Sequence, residues 1–440
     1  MTTHKGYILL VTHLFPYPPA RGIELRIFKL MKWLTSEGYR VILVLSGERE
    51  EEQLRLDRLN GVVHDVCWKK PALRTRLGRT FPRLRRTIWE NAKPIISPVW
   101  LPNDGPVDTN YAVIPSLVGD EGRKRGVSSP QLAHLVAKLA RKYKPVGVIA
   151  EYIFLTDCFS FLKPEVLKIV DTIDVFSLKE KQVVSYGIDD PWNCTPDEER
   201  AYLLRSDVVV AIQDEEAAVL QRLAPEREVI TVGIDFEVDE APAEDAIDPN
   251  KILVVGSDNP LNVHGLKSFF ENCWSEIKRA HPAATLDVVG LVGPLCRIDD
   301  SSLNYVTRAE DLTAFYRRAQ LVINPTVAGT GLKIKSVEAL AHGKPLVAWP
   351  HGVDGLAYEG VAPYVKCESW KEFAAAVIRL LRANAEARAL GRRALVYAQT
   401  KFAAAAVYAP LKTRLAQHSL IASRETSATP VVRGYQSSAP

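Results

Sequence analysis

Two series of short apolar runs, each run followed by an amphipathic stretch of helix length, constrain this chain of 440 residues more than any other feature. Such alternation is the pattern of parallel α/β architecture, in which crossover helices cover both faces of each sheet. In the first series the strand candidates are 7–11, 41–45, 148–150, 167–170 and 208–212. Between the first two lies IELRIFKLMKWLTSEG, where Ile27, Leu30, Met31 and Leu34 recur at helical spacing and Gly38 follows as a cap. The stretch EVDEAPAEDAIDPN (237–250) is acidic, holds two prolines and lacks periodicity, so it reads as a linker. Beyond it the alternation restarts with KILVVGS, NVHGLKSFFENCWSEIKRA and TLDVVG, and later QLVINP and KPLVAW. Since domains usually hold about 100–200 residues, two Rossmann-like units facing a cleft are predicted, 1–240 and 250–400. A helix over 401–420, packing back on the first unit, and a flexible tail over 421–440 complete the chain.

Composition narrows the function classes. Hydrophobic residues make up 47% and charged residues 25%, the ordinary globular range. No apolar run approaches the roughly 18 residues of a membrane-spanning helix, and the N-terminus reads as a buried strand rather than a signal peptide. The six cysteines are scattered without a CxxC pair, which fits a reducing cytoplasm and no structural zinc. A net charge of +4 is too small for this length to argue for nucleic acid. One segment is strongly basic: KKPALRTRLGRTFPRLRR (69–86) has eight cations, no acid and interleaved leucines. It reads either as a solvated face or as a peripheral contact with an anionic membrane at its inner, cytoplasmic face.

The chemistry concentrates in VAGTGLKIKSVEALAHGKPLVA (327–348). Gly329 and Gly331 permit positive φ and close approach to the backbone. A helix predicted from about Ile334 would present free N–H groups there, a favourable seat for phosphate. Lys333 and Lys335 add positive charge, and Glu338 is placed to accept from sugar hydroxyls, so phosphate plus ribose points to a nucleotide. A tight turn with a solvated lysine pair and a surface acid is the other reading of these residues.

The stretch GTGLKIKSVEALAHGKPLVAWPHGVDGL resembles the donor-binding segment of retaining GT-B glycosyltransferases of family 4 (glycosyl transferases group 1). VGSDNPLNVHGLKSFFENCWSEI, EDLTAFYRRAQLVINP, LFPYPPARGIELRIFKLMKWLTSEGYRVILV, DTIDVFSLK and SDVVVAIQDEEAAVLQRL resemble further segments of that family, in order. The resemblance implies an α/β GT-B fold and sugar transfer from a nucleotide-diphosphate donor with retained anomeric configuration. It places the acceptor on the N-terminal unit and the donor on the C-terminal one. The acceptor class is a glycan, lipid-linked or small-molecule acceptor in surface polysaccharide or glycoconjugate synthesis. Neither a metal nor another cofactor is expected. Implied donor contacts are Gly22, Gly256, Ser257, Asn262, Gly329, Thr330, Gly331, Leu332, Lys333, Lys335 and Glu338. Glu24 and Arg26 fall on the acceptor side, and Asp171, Asp174 and His13 are the catalytic candidates. Each has a plainer alternative: a turn for Gly22, a salt bridge for Arg26, a turn or cap acid for each aspartate, a structural histidine for His13.

Two positions depart from the family's pattern. Thr330 stands where many members carry the first of two glutamates, and Ile173 where relatives often carry histidine. A front-face reaction needs no enzyme nucleophile, because the departing phosphate takes the acceptor proton, so transfer survives these changes in principle. A catalytically silent GT-B protein that binds a nucleotide sugar or a partner transferase is the alternative. A sugar-nucleotide epimerase is a weaker one, because the motifs supply few acid/base residues. VVGSDNPLNVHG is not the GxGxxG of an NAD enzyme.

Overall fold

The chain builds two separate parallel sheets, seen in a computed structural model that describes residues 4–17, 19, 21–48, 56–69, 128–179, 194–238, 246–309 and 311–427. The first contains β1 (Tyr7–Thr12), β2 (Arg40–Glu48), β3 (Asp65–Lys69), β4 (Gly147–Glu151), β5 (Leu167–Asp171), β6 (Val208–Ala211) and β7 (Glu228–Thr231). Their order is β3-β2-β1-β4-β5-β6-β7. The second contains β8 (Asp248–Val255), β9 (Thr285–Val289), β10 (Leu303–Val306), β11 (Ala319–Asn324), β12 (Leu346–Ala348) and β13 (Val365–Lys366), ordered β10-β9-β8-β11-β12-β13.

Strand sequence explains the layering. Leu9, Val11, Ile42, Val44, Val148 and Ala150 enter one core, while Ile8, Leu10, Val41, Leu43 and Ile149 enter another on the opposite face. With a side-chain period of two, a strand that is apolar at every position must be covered on both sides. Helix Gly22–Ser36 covers one face through Ile27, Leu30, Met31 and Leu34, and Gly38 at φ +91° turns the chain back into β2. All six residues of β11 are buried, as its central place in the second sheet requires.

In each sheet the strand order reverses beside the first strand, between β1 and β4 and between β8 and β11. Loops leaving the carboxyl ends of such strands diverge and open a crevice, the usual ligand seat in α/β sheets. The loop after β1 leads to Gly22, the loop after β8 holds Gly256 and Ser257, and the loop after β11 is 325–333.

Two boundaries differ from the sequence reading. β8 starts at Asp248, inside the expected linker, because Asp248 pairs with Ala319 of β11. The last helix runs Ala409–Ser427, so the predicted tail begins with seven helical residues. That helix lies against the first unit: Leu411 and Leu415 share a core with Ile27, Met31 and Leu34, and Tyr408 stacks on Trp33 at 4.4 Å. The basic segment 69–86 lies outside the described residues after Lys69. Among the described residues no helix is long and apolar enough to cross a membrane.

Candidate functional site

Loop 325–333 is fixed at both ends by short polar side chains. Asn324 Nδ2 donates to Ser336 Oγ at 2.8 Å and to the Gly352 carbonyl, while its Oδ1 accepts from Thr326 Oγ1 at 2.7 Å. Helix Ile334–Ala341 follows at once. Lys335 Nζ donates to Asn262 Oδ1 at 2.6 Å and Thr326 Oγ1 at 2.8 Å, and Asn262 Nδ2 donates to Ser257 Oγ at 3.0 Å. Ser257, Asn262 and Lys335 therefore form one chain across the β8/β11 crevice. None of these partners is a carboxylate, and burial pushes the Lys335 ammonium down to about 7, with Lys333 adding repulsion.

Lys333 folds over its own loop, donating to the carbonyls of Gly329 (3.1 Å), Thr330 (2.7 Å) and Gly331 (3.0 Å). Its ammonium is also pulled down by burial, against the attraction of Asp174, Asp354 and Glu216. Both ammonium groups are half-buried at the crevice, and the hydrogen-bond partners of each are neutral oxygens.

The first unit closes over this loop. Thr330 Oγ1 donates to Asp174 Oδ1 at 3.0 Å, and the Gly331 N–H donates to Glu216 Oε1 at 2.5 Å. Gly331 has φ +78°, and a Cβ there would lie 2.6 Å from Asp174 Oδ1, so conformation and contact both require glycine. Gly22 meets the start of the second unit's helix: a Cβ on it would lie 3.0 Å from Ile334 Cδ1. Arg21 and Asp258 form an exposed ion pair at 3.2 Å across the same junction. Leu332 is buried in an apolar cluster with Ile212, Ile234 and Phe236. Expected among the donor contacts, Leu332 has its side chain engaged in that cluster, where an apolar group gains more than from a polar ligand.

Six further candidates have defined partners. Arg26 and Asp171 were read as acceptor-side and catalytic groups, but both are interior: Arg26 Nη2 lies 2.7 Å from Asp171 Oδ2. Arg26 also donates to the Gly233 carbonyl, tying the first helix to the segment after β7. Glu24 accepts from the Arg21 N–H at 3.1 Å and so closes the first turn of its helix. His13 packs edge-on against Tyr152 with ring centroids 5.0 Å apart. Glu338 accepts from the Tyr316 hydroxyl at 3.1 Å, and burial pushes its carboxyl up to about 7. Gly256 packs against Val292, to whose N–H it offers its carbonyl at 3.1 Å.

Two groups escaped the sequence reading. Glu216 sits in the acidic first turn of helix Asp214–Leu223, where an acid ordinarily does no more than match the helix dipole. Glu151 ends β4, is fully buried and has no hydrogen-bond partner on either oxygen; burial and the neighbouring Asp171 push its carboxyl well up, against Arg26. Among the described residues no three His, Cys, Asp or Glu side chains gather so as to hold a metal ion.

The comparisons follow this geometry. Residues 249–383 match the family described as glycosyl transferases group 1. No curated protein matches the chain. Among solved structures it is similar to sucrose-phosphate synthase from Thermosynechococcus elongatus, with 15% identity, 97% of this chain and 100% of that one covered, and a TM-score of 0.61. It is similar also to TarM, of which an S. aureus mutant was solved with fondaparinux, alpha-GlcNAc-glycerol and UDP, with 9% identity, 93% and 99% covered and a TM-score of 0.63. A third is Anabaena HepE with UDP and glucose, with 12% identity, 96% and 100% covered and a TM-score of 0.58. The chain has the two-domain GT-B fold, and with a glycosyl transferases group 1 domain over residues 249–383 it is a glycosyltransferase.

Proposed function

We propose that the protein transfers a sugar from a nucleotide-diphosphate donor, with retained anomeric configuration, to a glycan, lipid-linked or small-molecule acceptor. The observation that carries this reading is the Lys333–Lys335 pair, half-buried at the β8/β11 crevice without a contacting carboxylate. A diphosphate supplies the missing charge, and UDP is bound in several solved structures of the same fold. The glycine loop with Thr330, together with Gly256, Ser257 and Asn262, forms the rest of the donor cradle, and Gly22 borders it from the first unit. Glu338 is assigned to the ribose, with Tyr316 holding its orientation.

As the bond between the sugar and the diphosphate breaks, negative charge grows on the departing oxygen. Preorganised ammonium groups and amides stabilise that charge without reorganising. The acceptor hydroxyl attacks from the same face and gives its proton to the departing phosphate, which accounts for retention without an enzyme nucleophile. Asp174 and His13 remain the candidates for orienting the acceptor, while Asp171 is engaged by Arg26. The basic stretch 69–86 suits a lipid-linked acceptor at an anionic membrane face, within synthesis of a surface polysaccharide or glycoconjugate.

The reading is tested by proton NMR of the sugar released or transferred from UDP-glucose, UDP-N-acetylglucosamine and their GDP, dTDP and ADP counterparts. First-formed product with the donor's anomeric configuration supports it, and inverted product contradicts retention. A catalytically silent protein is favoured by one feature, the tie of Thr330 to Asp174 across the closed junction. Donor binding with neither hydrolysis nor transfer supports that second reading.

A further inference from the structure

Glu216 is 5% exposed and reaches from the first unit into the glycine loop of the second. Oε1 accepts the Gly331 N–H, whereas Oε2 is buried and has no hydrogen-bond partner. Gln213 is near enough to favour the charged carboxylate, yet gives Oε2 no hydrogen bond. Gln213 Oε1, on the residue preceding the same helix, is likewise buried without a partner. This corner of the junction holds acceptor atoms that lack donors, a costly arrangement in a folded interior.

The chemistry of the missing partner follows from charge. Asp174 raises the proton affinity of Glu216 while Lys333 lowers it, and Lys179 pairs with Asp174 at 3.7 Å, so the corner is already charge-balanced without an anion. A phosphate offers no hydrogen for Oε2 to accept. A neutral group that donates hydrogen bonds fits, and a sugar is a dense array of hydroxyls. The lysine chain through Asn262 and Ser257 provides the anion seat near the β8 loop, while Glu216 sits at Gly331, at the far end of the same short loop.

We propose that Glu216 Oε2 accepts a hydrogen bond from a hydroxyl of the sugar carried by the nucleotide donor, making Glu216 a sugar-specificity residue. This rests on the donor-site reading above. The Gly331 amide fixes the carboxylate, so the free oxygen is aimed before the ligand arrives. A site built to bond a hydroxyl rejects an analogue lacking it strongly, because a charged acceptor is then left buried and unmatched.

The test uses the full chain and titration calorimetry with UDP, UDP-glucose and its singly deoxygenated derivatives at the sugar 2-, 3-, 4- and 6-positions. GDP-, dTDP- and ADP-glucose are included to fix the base, and the matching deoxy series is used if another base is preferred. In the unaltered protein one deoxy derivative is expected to bind about ten- to a hundredfold more weakly than the parent. In Glu216→Ala that penalty should vanish, with affinity for the nucleotide sugar falling further than affinity for the sugar-free nucleotide, and Glu216→Gln, which keeps an acceptor for the Gly331 N–H, should restore part of the penalty. Thermal denaturation checks that both variants fold. A penalty that persists in Glu216→Ala, or an equal loss for the sugar-free nucleotide and the nucleotide sugar, overturns the assignment. Tighter binding of sugar-free nucleotide by the variants also overturns it, since Glu216 would then occupy a phosphate position. Failure of the unaltered protein to bind any nucleotide removes the donor-site reading itself, an outcome visible before any variant is compared.

Discussion

If the donor diphosphate is held by the Lys335 ammonium, its affinity must follow the protonation of that group. Burial sets the lysine at about 7 without ligand. From that value the ammonium fraction falls from about ten-elevenths at pH 6 to about one-eleventh at pH 8. Apparent dissociation constants scale inversely with the competent fraction, so affinity should weaken about tenfold over that range, about 1.4 kcal/mol. The diphosphate diester of a nucleotide sugar keeps its two charges throughout, so the ligand contributes no slope. Glu216 and Glu338 also lie at about 7, and Lys335→Met is the control that isolates the lysine. Titration calorimetry at pH 6, 7 and 8 gives the affinities. At pH 8, buffers of different ionisation enthalpy should reveal uptake of about one proton per ligand bound. In Lys335→Met the uptake should disappear and affinity at pH 6 should fall at least about tenfold. The same pH dependence in the unaltered protein and in the variant refutes the reasoning.

Other consequences are separable. Arg26→Met leaves Asp171 and Glu151 buried without their cation, and urea denaturation should register a loss of about 3–5 kcal/mol. Adding Asp171→Leu to that variant should recover part of it. Gly331→Ala imposes φ +78° on a residue with a Cβ and drives that atom into Asp174. Donor turnover should fall at least about tenfold in initial-rate assays, with about 1–2 kcal/mol of stability lost. Glu338 is held well above its ordinary 4.5, so the folded chain keeps a proton the unfolded chain has released. Its contribution is present at pH 4.5 and below and is lost as pH rises toward 7. Melting temperatures of Glu338→Gln should therefore decline less than those of the unaltered protein between pH 5 and 7.5.

The sheets were legible because periodicity is local: apolar runs such as YILLVT and AQLVIN declare strands buried on both faces, and the order of elements sets the topology. The cluster of Gly329, Gly331, Lys333 and Lys335 was legible for the same reason, since these residues lie within a few positions of one another. What escaped were partners far apart in sequence. Asp174 is 156 positions from Thr330 and Glu216 is 115 from Gly331, and no spacing rule joins them. Arg26 invited a local partner in Glu24, yet desolvated charge pairs form where the sheet ends bring them together, which gave it Asp171. DPN at 248–250 looked like linker because its residues disfavour strands, and only pairing with β11 makes it one. The last helix outran its prediction where its apolar period faded, at residues 421–427.

The account's central claim is that the crevice between β8 and β11 binds a nucleotide-diphosphate sugar through Lys333 and Lys335. Its most direct test is thermal denaturation of the unaltered protein and Lys335→Met with UDP-, GDP-, dTDP- and ADP-sugars, since a ligand exclusive to the folded state raises Tm by mass action. The account predicts a saturable rise with one base, lost in the variant. No rise with any of the four, or an equal rise in both proteins, would contradict it.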